Sequence, residues 1–206
     1  MKVIQDKYEK QKIQTLPCVH FEGRIIVVFT EKEAEKAVNY LMTQPILGFD
    51  TETRPNFKRG QMHQVALLQV ATHDTCFLFR LNKIGMTDSV VHLLEDETIT
   101  KVGLSLQDDM RMLNQRRAFR PGTFVELQKE VKSIGIEDNS LQKIYANLFG
   151  GKISKGQQLS NWEADILSPA QQQYAAIDAW ACIRIHEEVA RMKREQDYYV
   201  EKTNIL

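Results

Sequence analysis

Asp50 and Glu52 stand two residues apart at the end of an otherwise apolar run, Ile46 to Glu52. In a strand that spacing sends both side chains to one face. Two carboxylates held close in a dry place repel, and one normally keeps a proton. A divalent cation removes the conflict, and hard oxygen donors at a strand end suit Mg²⁺ or Mn²⁺. The plain alternative is that the strand has ended and both acids are solvated. A second candidate lies in Lys101 to Leu113, where a strand closing at Gly103 gives way to a helix. Asp109 is one turn from Leu113, with Met112 beside it, so it points inward with the apolar face. The alternative is that Asp108 or Asp109 only complements the positive end of the helix dipole. The third candidate is Tyr174 and Asp178, four apart on one helix face among Ala175, Ala176 and Ala179. An acid mid-helix in an apolar run needs a partner or a metal. A tyrosine one turn away offers a hydroxyl that can orient a water, or simply a core hydrogen bond to the acid.

These side chains need elements to hold them. Arg24 to Phe29 reads as a β-branched strand. Thr30 with Glu33 is a capping-box start, and Ala34, Ala37, Val38 and Leu41 carry a helix to about Met42. Pro45 stops it before the strand Ile46 to Glu52. Val65 to Ala71 and Thr75 to Leu81, joined by Thr72-His73-Asp74, read as a hairpin. Helices follow at Asp88 to Leu94, Leu106 to about Gln115, and Leu141 to Leu148. Strands are expected at Ile99 to Val102 and Phe124 to Leu127. Gly150 to Gln158 is a glycine-rich loop carrying Lys152 and Lys155. Ser168-Pro169 opens a last helix that runs to about Arg194, with Pro at its first position. Strand, helix, three strands, then alternation predicts one α/β domain with a mixed, partly antiparallel sheet. The expected boundaries are a loosely docked leader over 1–23, the domain over 24–195 and a tail over 196–206.

Composition narrows the class. The 206 residues suit one domain at roughly 150 residues each. An apolar share of 43% and a charged share of 26% exclude a disordered, fibrous or disulfide-scaffold chain. No all-apolar run exceeds the five residues Ile25 to Phe29, against roughly 18 for a membrane span. Cys18, Cys76 and Cys182 are odd in number without zinc spacing, and residues 1–6 show no secretory pattern, so a cytoplasmic protein is expected. The five histidines show no ligand spacing. Lys plus Arg and Asp plus Glu are both 27, which argues against a protein that coats long nucleic acid. It leaves room for one that holds a single chain end. The cluster Arg111, Arg116, Arg117 and Arg120 reads first as a solvated face.

The order Asp50-x-Glu52, then Gly103 to Asp109, then Tyr174-x-x-x-Asp178 resembles the three motifs of the DEDD 3′–5′ exonuclease superfamily, in its tyrosine-type branch. That branch includes RNase D. The stretches Arg59-Gly60, Val65 to Gln69, Phe124 to Leu127 and Ser160-Asn161-Trp162 are most similar to the exonuclease domain of the Werner syndrome protein. The resemblance covers roughly residues 24–190. Gln173, where the histidine-type branch carries His, favours the tyrosine type; Ser105 stands where polymerase-like members have Asn. Asp109 rather than Asp108 keeps the Gly-to-Asp spacing.

The resemblance implies an RNase H-like mixed sheet flanked by helices, the DnaQ-like exonuclease fold. It implies two divalent ions, Mg²⁺ or Mn²⁺, held by Asp50, Glu52, Asp109 and Asp178, with Asp50 bridging them. Tyr174 would orient the attacking water, since a phenol of pKa about 10 stays protonated at neutral pH. Thr53 would contact the terminal 3′-OH, Lys155 a backbone phosphate, and Arg59 and Lys152 further phosphate. Trp162 reads as core ahead of a base-stacking role. The expected partner is a nucleic-acid 3′ end, DNA slightly ahead of RNA, with no nucleotide cofactor and no membrane. The product would be nucleoside 5′-monophosphate. Two other readings compete with this one. A phosphatase with a strand-end Asp nucleophile needs Asp where Glu52 stands and a helix or cap insertion where Val65 to Leu81 reads as a hairpin. A catalytically weak binding module should have lost a ligand, and all four acids are present.

Overall fold

The computed structural model describes residues 1–56, 60 and 62–203. The chain opens with β1 (Lys2–Gln5), the short helix α1 (Lys10–Ile13), β2 (Arg24–Val28) and α2 (Glu31–Leu41). Thr30 and Glu33 form the expected capping box: the Thr30 hydroxyl accepts from the Glu33 N–H at 3.2 Å, and Glu33 Oε2 accepts from the Thr30 N–H at 3.0 Å. β3 (Ile46–Thr53), β4 (Val65–Ala71) and β5 (Thr75–Phe79) follow, then α3 (Leu81–Ile84), α4 (Asp88–Glu95), β6 (Thr100–Gly103), α5 (Leu106–Arg116) and β7 (Phe124–Glu126). The chain continues through α6 (Leu127–Ser133), α7 (Leu141–Phe149), α8 (Pro169–Glu195) and β8 (Tyr198–Glu201).

The main sheet has the order β2-β5-β4-β3-β6-β7. β3, β4 and β5 form an antiparallel meander, and β2, β6 and β7 join in parallel. This is the mixed sheet the sequence predicts. Period-2 alternation divides β3 cleanly. Leu47 and Phe49 enter one core with Leu68, Val70, Phe77 and Phe79, under α2 and α4. Gly48, Asp50 and Glu52 face the other way, toward α8. That second core holds Leu67, Ala71, Cys76 and Leu78 with Ala175, Ala179 and Cys182 of α8.

α8 lies hard against β3. A Cβ on Gly48 would sit 1.9 Å from the Ala179 carbonyl oxygen, so only glycine lets the helix backbone come this near. The Ser168 hydroxyl caps the helix against the Gln171 N–H, and Gln171 Oε1 accepts from the Ser168 N–H.

The ends of the chain depart from expectation. The first 23 residues are no loose leader. β1 pairs in parallel with β8, Lys2 opposite Tyr198 and Gln5 opposite Glu201. Ile4 and Phe21 are fully buried. The Asp6 carboxylate accepts from the Thr203 N–H at 2.8 Å and its hydroxyl at 2.6 Å. Phe21 brackets the Gln173 amide with its own N–H and C=O, at 3.1 and 3.0 Å. A four-residue strand with one inward apolar residue, paired to a partner nearly the whole chain away, leaves little periodicity to read. α6 was likewise not expected; it starts at the residue after β7, with no turn residue between.

Gly48→Ala should destabilise the fold, because the obstructing atom is backbone and has no rotamer to escape into. Overpacking of this kind costs about 1–3 kcal/mol, and each kcal/mol moves the melting temperature by about 2–4 °C at this size. Thermal unfolding measures it, and an unchanged midpoint would refute the tight contact.

Candidate active site

β3 and α8 bring three carboxylates together. Ligand oxygens of Asp50, Glu52 and Asp178 lie within 4.8 Å of one another. Glu52 and Asp178 are buried, and Asp50 is half-buried at the floor of a cleft of about 330 Å³. Glu52, Tyr174, Lys155, Gln158 and Gln142 are among its walls. The Tyr174 hydroxyl faces Asp178 one turn on, and its ring packs on Trp162 with centroids 5.9 Å apart. Trp162 is fully buried, in agreement with its core reading.

The electrostatics are those of buried carboxylates that repel one another. Loss of water, followed by repulsion from Asp178, Asp109 and Glu52, pushes the Asp50 pKa well above the usual carboxylate range. Burial, then Asp178 and Asp109, lift Glu52 to about 9. Burial lifts Asp178 to about 7, although the Tyr174 hydroxyl and the Lys155 ammonium pull it down. Burial and the neighbouring carboxylates push the Tyr174 phenol upward, so it stays neutral. No arginine or lysine makes an ion pair with these three acids among the described residues. All-oxygen donors, anionic, converging and unneutralised, fit a hard divalent cation.

Asp109 sits beside this triad rather than in it. Burial raises its pKa to about 6. Its carboxylate accepts a hydrogen bond from the Thr51 hydroxyl, which hangs from β3 between Asp50 and Glu52. Asp108 points to solvent and pairs with Arg111 at 2.9 Å, so the register chosen from sequence is the inward one. Of the substrate contacts expected from the resemblance, Lys155 lines the cleft. Thr53 lies past a register shift after Glu52, opposite Val65, and is not a cleft residue. The Lys152 backbone is tied to Pro17 and Val19, away from the cleft lining. Arg59 lies outside the described residues. The arginine cluster is internally employed: Arg116 Nε donates to the Val65 carbonyl, and Arg117 to Met86 and Asp88.

Sequence reasoning missed Thr51, whose role follows from strand alternation once α5 is known to pass behind β3. It also missed Gln69. That side chain is directly opposite Asp50 in the antiparallel register and wholly buried, and its amide has no partner. Its polar character in the run Val65 to Ala71 was the available signal.

A family model described as 3′–5′ exonuclease matches residues 25–193. The chain belongs to this family. It is 32% identical over 157 residues to exonuclease 3′–5′ domain-containing protein 2 of Drosophila melanogaster, a match covering 74% of this chain and 27% of that protein. It is 27% identical over 187 residues to the mouse bifunctional 3′–5′ exonuclease/ATP-dependent helicase WRN, covering 86% of this chain and 13% of that one. The chain thus spans a minor part of either relative's length. Among solved structures, the EXO domain of Aedes aegypti Nibbler superposes with a TM-score of 0.77 at 19% identity, covering 86% of this chain and 92% of that one. That likeness establishes the fold, the exonuclease variant of the RNase H-like sheet.

The raised carboxylate pKa values predict how stability depends on pH. Unfolded Asp and Glu titrate near about 4. Between there and the folded values of about 6 to 9, the native state holds more protons than the unfolded chain. Its metal-free stability contribution therefore falls as pH rises across that window. In EDTA, Asp178→Asn should melt above wild type, with a gap that widens from pH 5 to pH 9. Mn²⁺ should raise the wild-type midpoint most at high pH, where the carboxylates are free to bind it. Parallel melting curves at pH 5, 7 and 9 test this, and a constant gap would overturn the crowded-carboxylate reading.

Proposed function

We propose that the protein is a metal-dependent 3′–5′ exonuclease that removes nucleotides from nucleic-acid 3′ ends, DNA ahead of RNA. The observation that carries this reading is the meeting of Asp50, Glu52 and Asp178 within 4.8 Å, with Tyr174 and Lys155 at the same cleft. Membership of the exonuclease family supports it. Asp50, Glu52 and Asp178 would hold divalent ions, with Asp109 completing the set. When bound, such ions supply Lewis acidity, neutralising phosphodiester charge and lowering the pKa of water. The neutral Tyr174 hydroxyl hydrogen-bonds a water and aims it at the terminal phosphodiester. Its aim is fixed by the Trp162 ring behind it and by its helical register with Asp178. The Lys155 ammonium pairs with a backbone phosphate and draws the strand into the cleft. Attack forms a bond from the water oxygen to phosphorus and breaks the bond to the 3′-oxygen of the penultimate nucleotide. That oxygen takes up a proton, and a nucleoside 5′-monophosphate departs. An enzyme that engages only the last phosphodiester of a chain end reads few bases, so weak sequence preference is expected. The reading as a strand-end phosphatase loses support from the antiparallel meander of β3, β4 and β5, with Val65 to Phe79 forming strands rather than a helix or cap insertion.

The test is a gel series with 5′-labelled DNA and RNA, single-stranded and recessed, in Mn²⁺, Mg²⁺ or EDTA. Expected is a ladder shortening from the 3′ end, lost with EDTA and with Asp50→Ala or Asp178→Ala. Binding without shortening on every substrate would leave a binding module instead. Tyr174→Phe should lower kcat by about 10²-fold or more with little change in KM, as befits loss of a group positioned for proton and water handling. Lys155→Ala should raise KM and make it less dependent on salt, since it removes a phosphate contact. Steady-state kinetics at two salt concentrations separate these two roles, and an unchanged KM in Lys155→Ala would remove that residue from the substrate path.

A further inference from the structure

Helix α5, which carries Asp109, has no cap of its own. Ser105 occupies the N-cap position in the left-handed region, at φ 62°, and its hydroxyl makes no capping bond. A non-glycine residue there is strained unless its surroundings hold it. The surroundings are Glu126, the last residue of β7, 21 positions further along. Glu126 Oε1 accepts from the Ser105 N–H at 3.0 Å, and Oε2 accepts from the Leu106 N–H at 2.8 Å. Oε1 also accepts from the Gln128 N–H at 3.1 Å, and Gln128 Nε2 donates to Ser105 Oγ at 2.9 Å. One carboxylate thus spans the opening amides of α5, at the positive end of the helix dipole. Charge-assisted bonds of this kind are stronger than a neutral serine cap.

Asp109 lies in the first turn of that helix, four residues after Ser105. Its carboxylate meets the Thr51 hydroxyl, between two residues of the triad. A continuous run of contacts therefore links Glu126, the α5 N-terminus, Asp109, Thr51 and the site.

We propose that Glu126 is a positioning residue for the exonuclease site: by clamping the first turn of α5 to β7, it holds Asp109 against β3. In doing so it sets divalent-ion affinity and turnover. This rests on the exonuclease reading and deepens it.

The test uses the full chain with Glu126→Ala, Glu126→Gln, Asp109→Asn and the two double variants. Mn²⁺ affinity is measured by isothermal titration calorimetry, and kcat and KM on a 5′-labelled oligonucleotide, with melting curves alongside. Glu126→Ala should weaken Mn²⁺ binding and lower kcat by about 10- to 100-fold, the usual effect of removing a partner that orients a ligand. KM should change far less. Glu126→Gln keeps one acceptor oxygen and should lose several-fold less. In the Asp109→Asn background, either change should have little further effect on affinity or kcat, because the residue it positions is already gone. Equal losses in both backgrounds would overturn the proposal. So would a lower melting temperature with unchanged Mn²⁺ affinity and kcat, which marks a purely structural cap. If Glu126→Ala does not fold, the Glu126→Gln cycle carries the same comparison. A wild-type chain that binds Mn²⁺ but shortens no oligonucleotide would refute the exonuclease reading, while the calorimetric cycle would still decide the role of Glu126.

Discussion

The approach of α8 to β3 is the constraint from which the rest of the molecule follows. Gly48 and the Ala179 carbonyl meet at a distance that excludes any side chain, and the residue just before Ala179 in the helix is Asp178, which this approach brings to Asp50 and Glu52. Packing forces together three groups that electrostatics would drive apart. The small residues Ala175, Ala179 and Cys182 make the approach possible, and the apolar surface they bury with Leu67, Ala71 and Leu78 opposes the repulsion. The site is thus under tension by construction, and a bound cation is the natural relief.

β3 serves two functions with its two faces. Leu47 and Phe49 anchor it in the core beneath α2 and α4, so the strand cannot shift by one residue without exchanging core for site. Gly48, Asp50 and Glu52 then have fixed positions under α8. Thr51, on the core side by parity, reaches Asp109 at the edge where α5 begins. The fourth acid is therefore coupled to the first two through the Thr51 hydroxyl and the backbone of β3. The precision of the acids and Tyr174 comes from regular elements, while loops supply other parts of the cleft wall, Asn139, Ser154, Lys155 and Gln158 among them.

Much of this arrangement was legible in the chain, for identifiable reasons. Thr30 with Glu33, and Ser168-Pro169 with Gln171, mark helix starts by chemistry that acts within four residues. Asp50 and Glu52, and Tyr174 and Asp178, share faces by the periods of strand and helix alone. What was hidden depends on contacts distant in sequence. Nothing local says that Lys2 to Gln5 will find Tyr198 to Glu201. Glu126 serves at once as a strand end, the cap of α6 through the Gln128 N–H, and the cap of α5, a combination no single window reveals. The spacing placed Asp109 on the inner face of α5 but not which group it would meet; that is settled by where Glu126 sets the helix.

The pairing of β1 with β8 gives the chain an order of events as it leaves the ribosome. Synthesis is vectorial, so the first strand emerges long before the partner that completes it. The carboxylates of β3 likewise wait for Asp178, some 128 positions later. Contacts this distant in sequence close late, because loop entropy must be overcome before they reward the chain. A nascent chain therefore carries Asp50 and Glu52 without Asp178 beside them, and the cleft comes into being only when α8 docks on β3.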